Sequence, residues 1–429
     1  MKYDMNIDVH HLTRVEGHGD IHIEVKDGKL VEARWAVIET PRFFEAMVRG
    51  LSHDLAPILT ARICGICSIG HSLASLRAIE RAMGVEVPET ARKLRLLAKH
   101  GETLQSHVLH LFFLAAPDFF DVGSVLPIIK SHPDVAEVAL RLKGLANDMC
   151  DLIAGRTTHP VSLAVGGLLK APTKHQLRDL KATIEDRLPD MMTTVDLFLK
   201  LKMPDFVRET EFVSLKGEGL KGDNCYPWIG GQLVSTDGVL KEENDYLDMT
   251  NEYRVDFSTS KWTKLSRGSF AAGALARFNN NAAFLHPEAK EVAAAFGLRP
   301  VNHNPFMNNV AQVVESYHVM LESIEMISEM LDSPMDDIRA EYQVKAGAGA
   351  GAVEVPRGIL YHYYELDDKG VVKKANCIIP TTQNNANIHY DIGEFVPHLL
   401  AQGKTDTEIT KLSEMLVRSY DPCISCSVH

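Results

Sequence analysis

The 429-residue chain is 45% hydrophobic and 24% charged, the proportions of a globular protein with a sizeable core. Its 45 basic and 57 acidic residues leave a formal net charge of −12, which argues against general affinity for nucleic acid or an anionic membrane. Apolar stretches such as HVLHLFFLAA fall far short of the ~20 residues that span a bilayer, and MKYDMNIDVHHLTRVEGHG lacks the apolar centre of a signal peptide. The expectation is a cytoplasmic protein without membrane insertion or nucleic-acid binding.

In chain order, residues 21–38 alternate apolar and polar positions around Asp27-Gly28, which predicts a β-hairpin. Residues 88–116 open on a proline and repeat apolar side chains every three or four positions, a helical pattern. A second helix is predicted over 134–155, stopping at Gly155. A third covers 173–201, where Pro189 should kink or split it. Residues 205–280, rich in Gly, Asp and aromatics, read as short strands and loops. Another helix is expected over 308–331. KAGAGAGAVEVPRG reads as a close-packed loop: it fits a loose phosphate-binding pattern, but such a fingerprint should open a helix, and this one runs into Val-Glu-Val-Pro. Residues 358–380 form a second β-like piece with Asp-Lys-Gly turn chemistry. No repeat or linker interrupts the chain. The fold class expected is mainly α with small β pieces (α+β), as a single domain over residues 1–429.

Seven cysteines, an odd number in a long chain, do not look like a disulfide framework. Four of them form two CxxC units, Cys64/Cys67 in ARICGICSIGH and Cys423/Cys426 in DPCISCSVH, the last nine residues. A CxxC unit aims two sulfurs at one centre, and two such units complete a four-thiolate site. Soft thiolates suit zinc, copper(I), iron–sulfur clusters, or nickel and iron. A redox pair lacks its usual βαβ context here. A structural zinc site is the competing reading, although zinc modules place their pairs within ~12–20 residues. Cys150 and Cys225 are most simply buried apolar residues.

The flanking residues add a resemblance. Arg62-x-Cys64-Gly-x-Cys67-x-x-x-His71 and Asp421-Pro-Cys423-x-x-Cys426-x-x-His429 resemble the paired signature of the large, catalytic subunit of nickel–iron hydrogenases, especially the cytoplasmic multimeric group. Thr13-Arg14-Val15-Glu16-Gly17-His18, Glu354-Val-Pro356-Arg357-Gly358 and Ile379-Pro-Thr-Thr382 are similar to that family's other motifs, in the expected order. The likeness implies long helices around a buried metal centre.

It also implies roles. All four cysteines would bind nickel, with Cys67 and Cys426 also bridging to an iron that carries cyanide and carbon monoxide. Cys64 and Cys423 would be terminal ligands, and Glu16 would relay the proton away from the terminal cysteine. His71 would hydrogen-bond a bridging sulfur. Arg357, with Pro356 beside it, and Asp421 would lie over the open metal position, where a fixed guanidinium can polarise a small ligand. Ile66 and Leu114 match places where a gas channel narrows, though apolar residues there are also ordinary core. Glu45, the Cys377 carbonyl and His429 would hold a magnesium ion, with iron as the alternative. In place of an acidic residue usual in the family this chain has Ser106, which should alter the network around Arg357. Without the resemblance, His107 and His110 beside it are core or helix-face residues.

The activity implied is reversible heterolytic cleavage of dihydrogen. Too few cysteines remain for an iron–sulfur relay, so an iron–sulfur small subunit is implied, with further flavin or iron–sulfur subunits leading to NAD(P), ferredoxin, a deazaflavin or a disulfide reductase. The family's precursors also meet a maturation protease and nickel-loading proteins. The alternatives are a dihydrogen-sensing homologue, and a scaffold that is zinc-stapled or related to complex I. Retention of all four cysteines argues against the complex I relative.

Overall fold

The structure, a computed structural model, describes residues 4–217 and 226–429. Cys225 lies outside them. The chain opens as a three-stranded antiparallel sheet of β1 (Met5–Val9), β2 (Gly19–Lys26) and β3 (Lys29–Val37) in that order. Asp27 and Gly28 both take positive φ (52° and 76°), giving the two-residue turn whose twist matches the flanking strands. Ile21, Ile23 and Val25 turn inward and their neighbours outward, as the alternation requires.

The first long helix, α1 (Ser68–Met83), begins directly after Cys67 and ends at Gly84 with φ 65°. Nearly every position on it is buried, so it shows no apolar stripe. Its third residue is pinned: Gly70 N–H donates to the buried Glu102 carboxylate at 3.0 Å, which also takes Lys99 Nζ at 2.9 Å. Helix α2 (Glu89–Leu109) follows Pro88 and continues into a π-helical turn, His110–Ala115. Helix α3 (Pro133–Ala154) stops at Gly155, φ 78°. Helix α4 (Lys174–Leu199) starts with a reciprocal Thr173–Gln176 capping box and is not split. Pro189 sits inside it without ending it, since one lost N–H bond can be outweighed by packing on α3 and on α5 (Met307–Asp332). Helices α2, α3, α4 and α5 pack on one another.

Between α4 and α5 lie short strands at Glu211–Leu215, Leu233–Ser235, Leu240–Lys241 and Phe270–Ala271, with small helices at Tyr246–Thr250 and Ala274–Asn281. This segment is short strands and loops, as its composition suggests, with helical turns added.

The glycine-alanine run is a correction to the sequence reading. It is a strand, β4 (Gly347–Val355), not a loop, and it pairs antiparallel with β5 (Gly358–Leu366), which pairs with β6 (Val372–Ile378). Its close packing is real. A Cβ on Gly347, Gly349 or Gly351 would stand 1.9, 2.6 or 2.5 Å from the carbonyl oxygens of Ala82, Ala78 and Ala74 on α1. Glycine at every second position thus lets α1 lie directly on the strand that leads to Arg357. The Asp-Lys-Gly turn joins β5 to β6, with Gly370 N–H donating to Asp367 O at 3.0 Å. Helices α6 (Pro380–Ala401) and α7 (Asp406–Ser419) complete the chain before its tail turns inward.

Gly351→Ala should therefore lower stability by about 1–3 kcal/mol through overpacking. Gly393→Ala, in α6 with open space around it, should be neutral or gain up to about 1 kcal/mol. Urea denaturation of the two variants against the parent measures both.

Candidate metal centre

Four segments distant in sequence build the centre: the N-terminal loop, the entry to α1, the β4–β5 turn and the C-terminal tail. Residues 423–428 are buried apart from Ser425, unusual for a terminus. Backbone and side-chain bonds fasten them. Ile424 N–H donates to Glu16 O at 2.9 Å, Cys423 N–H to Thr381 Oγ1 at 2.9 Å, and Arg42 N–H to Val428 O at 2.7 Å. The Arg42 guanidinium adds bonds to Ile63 O (2.7 Å) and Ser425 O (2.6 Å), tying the tail to the segment before Cys64.

The two CxxC units meet. Cys64 Sγ and Cys423 Sγ are 3.6 Å apart across a separation of 359 residues. The sulfurs of Cys64, Cys67 and Cys426 all lie within 4.8 Å of one another, and those of Cys423 and Cys426 lie equally close to a Glu16 carboxylate oxygen. Cys423 and Cys426 are drawn together as a disulfide, while Cys64 and Cys67 are free thiols. The metal-binding form is the reduced one, because thiolates are the ligands.

Donors converge on this sulfur. The Ile66 and Cys67 N–H groups each donate to Cys64 Sγ at 3.3 Å. The Cys67 thiol beside Cys64 and the Arg357 guanidinium favour its thiolate against the cost of burial, so its pKa falls below the usual thiol value. Cys67 shifts the other way, because its neighbour Cys64 takes the negative charge and burial disfavours a second one. Buried Arg357 is held by Asp421, through Nε to the backbone oxygen at 2.7 Å and Nη2 to Oδ1 at 3.0 Å. Its Nη1 has no partner among the described residues. Asp421 in turn takes Gln312 Nε2 on its other oxygen at 3.1 Å.

Glu16 Oε2 lies 3.1 Å from Cys423 Sγ and accepts Ser425 N–H at 3.1 Å, while Ser425 Oγ donates to Oε1. His71 is fully buried on α1, four residues beyond Cys67, with Nδ1 3.1 Å from His362 Nε2 and Nε2 unpartnered among the described residues. Burial depresses the basicity of both rings, His362 down to about 3. Pro356 is buried next to Arg357, its carbonyl accepting Arg277 Nη2 at 3.1 Å.

A second group forms at the tail's end. His429 Nε2 is 2.6 Å from Cys377 O and 3.7 Å from Glu45 Oε1, and Glu45 also accepts Cys377 N–H at 2.8 Å. Burial alone would raise Glu45, but the His429 ring and the Cys377 N–H hold its carboxyl down at about 2. Carboxylate, imidazole and carbonyl thus face one spot, beside a cavity of about 950 Å³ that Glu45 and His429 help to line.

The four cysteines, Glu16, Arg357 and Asp421 come together, Glu45, Cys377 and His429 meet at the tail's end, and His71 and Pro356 lie on the flanking α1 and β4–β5 turn. Ile66 is half-buried next to Cys64. Leu114, half-buried, lies on the π-helical turn, where its carbonyl accepts Arg14 Nη1 at 2.6 Å. Ser106 is buried, its Oγ without a partner among the described residues, and Glu315 from α5 supplies a carboxylate to His107 Nε2 at 2.8 Å. His110 Nδ1 lies 2.6 Å from Gln312 Oε1, so this histidine belongs to the network behind Asp421. Arg42, Gln312, Ser425, His362 and Tyr364 went unnoticed in the sequence. Nothing in their spacing marks them, because each gains its importance from a partner distant in the chain.

The donor set fits a thiophilic metal pair. Four sulfurs satisfy it, and a buried guanidinium with one unpaired N–H offers a place for an anionic ligand, which a closed structural zinc site does not need.

The chain matches the family model described as nickel-dependent hydrogenase over residues 42–138 and 270–429, and one described as HoxL-like over 6–40. It is 34% identical over 427 residues to the alpha chain of sulfhydrogenase 1 of Pyrococcus furiosus, covering 99% of this chain and 97% of that protein. To the corresponding alpha chain of sulfhydrogenase 2 from the same organism it is 32% identical over 425 residues, covering 99% of both. The fold superposes on a crystal structure of NAD+-reducing [NiFe]-hydrogenase in the H2-reduced state with a TM-score of 0.88, 27% identity and 99% coverage of both chains. The [NiFeSe]-hydrogenase of Dm. baculatum, at 22% identity, a TM-score of 0.79 and full coverage of both chains, shares the fold.

The Glu45 carboxyl, held below its ordinary value of 4.5, stabilises the fold above that pH and loses this contribution as pH falls toward 2. In metal-free protein Glu45→Gln should lower the melting temperature at pH 7 and make the acid-side decline between about pH 4.5 and 2 shallower. Thermal denaturation across that range reads both effects.

Proposed function

The chain belongs to the nickel-dependent hydrogenase family as a catalytic large subunit, and we propose that it cleaves and forms dihydrogen at a Ni–Fe centre held by Cys64, Cys67, Cys423 and Cys426. The observation that carries this assignment of ligands is the 3.6 Å approach of Cys64 and Cys423 sulfur, with the other two sulfurs at hand. On this reading all four thiolates would hold nickel, and Cys67 and Cys426 would also hold an iron that carries cyanide and carbon monoxide. When bound, the centre supplies electrophilic metals that polarise dihydrogen and take up its electrons.

The chain's own residues handle the proton and the geometry. In the reduced protein Cys423 Sγ passes a proton to Glu16 Oε2 across 3.1 Å. The two Ser425 bonds hold that carboxylate in line. Arg357, clamped by Asp421, directs its unpaired Nη1–H toward a cyanide nitrogen or the small ligand. Pro356 fixes the turn that presents it, and His71 donates to a bridging sulfur. Glu45, the Cys377 carbonyl and His429 bind magnesium, or iron in its place, so that the tail is fastened at both ends. Because these parts draw on both termini, residues 1–429 act as one domain.

Cys150 and Cys377 are too few to hold an iron–sulfur relay, even with Cys225 added, so electrons leave through an iron–sulfur small subunit. Further flavin or iron–sulfur subunits would carry them to NAD(P), ferredoxin, a deazaflavin or a disulfide reductase. The setting proposed is cytoplasmic; among the described residues no helix is long and apolar enough to cross a membrane. Nickel-loading proteins and a maturation protease would assemble the centre.

Infrared spectra of the purified complex should show metal-bound cyanide and carbon monoxide, with one nickel per chain. Zinc without nickel would overturn the reading in favour of a staple. Background dihydrogen uptake with a dye in a nickel-loaded complex would point to a sensor. Glu16→Gln should keep its nickel yet lose about 10²–10⁴-fold in dihydrogen uptake, the range for a lost proton-transfer group.

A further inference from the structure

The hydrogen bonds behind Asp421 do not close on neutral groups. His110 opens the π-helical turn after α2 and is buried. Each of its ring nitrogens meets a carbonyl oxygen: Nδ1 lies 2.6 Å from Gln312 Oε1, and Nε2 lies 2.8 Å from Arg418 O. Gln312, fully buried on α5, turns its amide nitrogen to Asp421 Oδ2 at 3.1 Å. The Arg418 carbonyl also accepts Asp421 N–H at 2.8 Å. Both sides of the ring thus lead to Asp421, one through its side chain and one through its backbone.

A neutral imidazole has one N–H and one lone pair, and a carbonyl oxygen only accepts. With a single hydrogen, His110 would set a lone pair against an oxygen at 2.6 or 2.8 Å. Turning the Gln312 amide over moves the conflict without removing it. Its nitrogen would then serve Nδ1, but its oxygen would face Asp421 Oδ2, two acceptors with nothing between them. Asp421 as it stands has a donor on each oxygen, Arg357 Nη2 at 3.0 Å and Gln312 Nε2. The missing hydrogen therefore belongs on the ring. A buried cation needs partners, and this one has two carbonyl oxygens, with the Asp421 carboxylate beyond Gln312. Other charged groups on the elements packed around it are already paired. Glu315 takes Arg277 and His107, and the Arg418 guanidinium takes Asp118 and Glu414.

We propose that His110 carries a hydrogen on both ring nitrogens and, as a buried imidazolium, is the positioning residue that orients Gln312 and through it holds Asp421 behind Arg357. Its charge adds to that of Arg357 on the same side of the sulfurs. Only this last effect rests on the assignment of the cysteines as metal ligands.

Nitrogen-15 NMR of the complex with labelled histidine rings tests the protonation. The two nitrogens of an imidazolium resonate close together, and those of a neutral ring far apart. At about pH 8, where an unperturbed histidine has lost its charge, the signal missing from His110→Gln should be a close pair. Gln312→Leu, which removes the oxygen facing Nδ1, should split that pair and so identifies it even where His110→Gln fails to assemble. A parent His110 signal already split at this pH overturns the proposal, as does a pair that Gln312→Leu leaves unchanged. Infrared spectra read the charge at the centre. His110→Gln should lower the cyanide and carbon monoxide frequencies with nickel content unchanged, because less positive charge leaves more electron density on iron, and His110→Lys should return them toward the parent. Parental frequencies in His110→Gln, or equal shifts in both variants, overturn the electrostatic part. A parent complex without these bands removes the metal assignment instead, while the nitrogen signals still decide the charge of His110.

Discussion

Four sulfurs and a carboxylate oxygen gathered in a dry interior repel one another, and that repulsion shapes the rest of the molecule. Burying one thiolate costs several kcal/mol unless it is paired, and four cannot coexist without compensating positive charge. The protein supplies part of that charge in Arg357, which Asp421 fixes, and in the N–H groups of Ile66 and Cys67. Cys64 is shifted down by the Cys67 thiol and Arg357, whereas Cys67 is shifted up by Cys64 and by burial, so the pair favours charge on Cys64. On the proposed ligand set the remaining compensation would come from metal ions, which would couple metal binding to folding. Tail residues 423–429 are meanwhile anchored by Ile424 N–H on Glu16 O, Cys423 N–H on Thr381 Oγ1 and Arg42 on Val428 O and Ser425 O.

Rigidity around the sulfurs comes from uncommon packing. Helix α1 carries Cys67 at its entry and must sit against the strand that ends in Arg357. Ordinary side chains would hold helix and strand about 10 Å apart, and Gly347, Gly349 and Gly351 remove that spacer. Behind Arg357, Arg277 joins Glu315 at 2.7 Å and Glu354 at 3.0 Å, all fully buried. Burial lifts Glu354 to about 7 despite its partner, so the group is poor stabilisation. It does fix the backbone beside the centre, since Arg277 also donates to the carbonyls of Val355 and Pro356.

What could be read from the sequence follows from this. The hairpin at Asp27-Gly28 and the helices α2 to α5 carry local signals of turn chemistry and apolar period. The paired cysteines announce themselves by spacing and neighbours. Helix α1 does not, because it is buried on all sides and has no stripe. Helix α6 misleads in the other direction: Gln383, Asn384, Asn385 and Asn387 look like surface residues but are buried. Asn384 accepts Ala272 N–H at 2.8 Å, Asn385 accepts Trp35 Nε1–H at 3.0 Å, and Gln383 donates to Ile359 O at 2.6 Å. Polar side chains that satisfy distant groups leave no periodic trace. The run in β4 was legible as close packing but not as strand, since glycine and alanine have low strand propensity and only α1 explains them.

The polar groups around the sulfurs are also of two kinds. Acceptors lie toward the N-terminal loop, where Glu16 faces Cys423 with both oxygens bound to Ser425. A fixed donor is Arg357, which acts on Cys64 and whose Nη1 has no partner among the described residues. A reaction that separates a proton from an electron pair needs such an asymmetry. A base on every side would let the proton return by any route, whereas donors that cannot accept confine it to one.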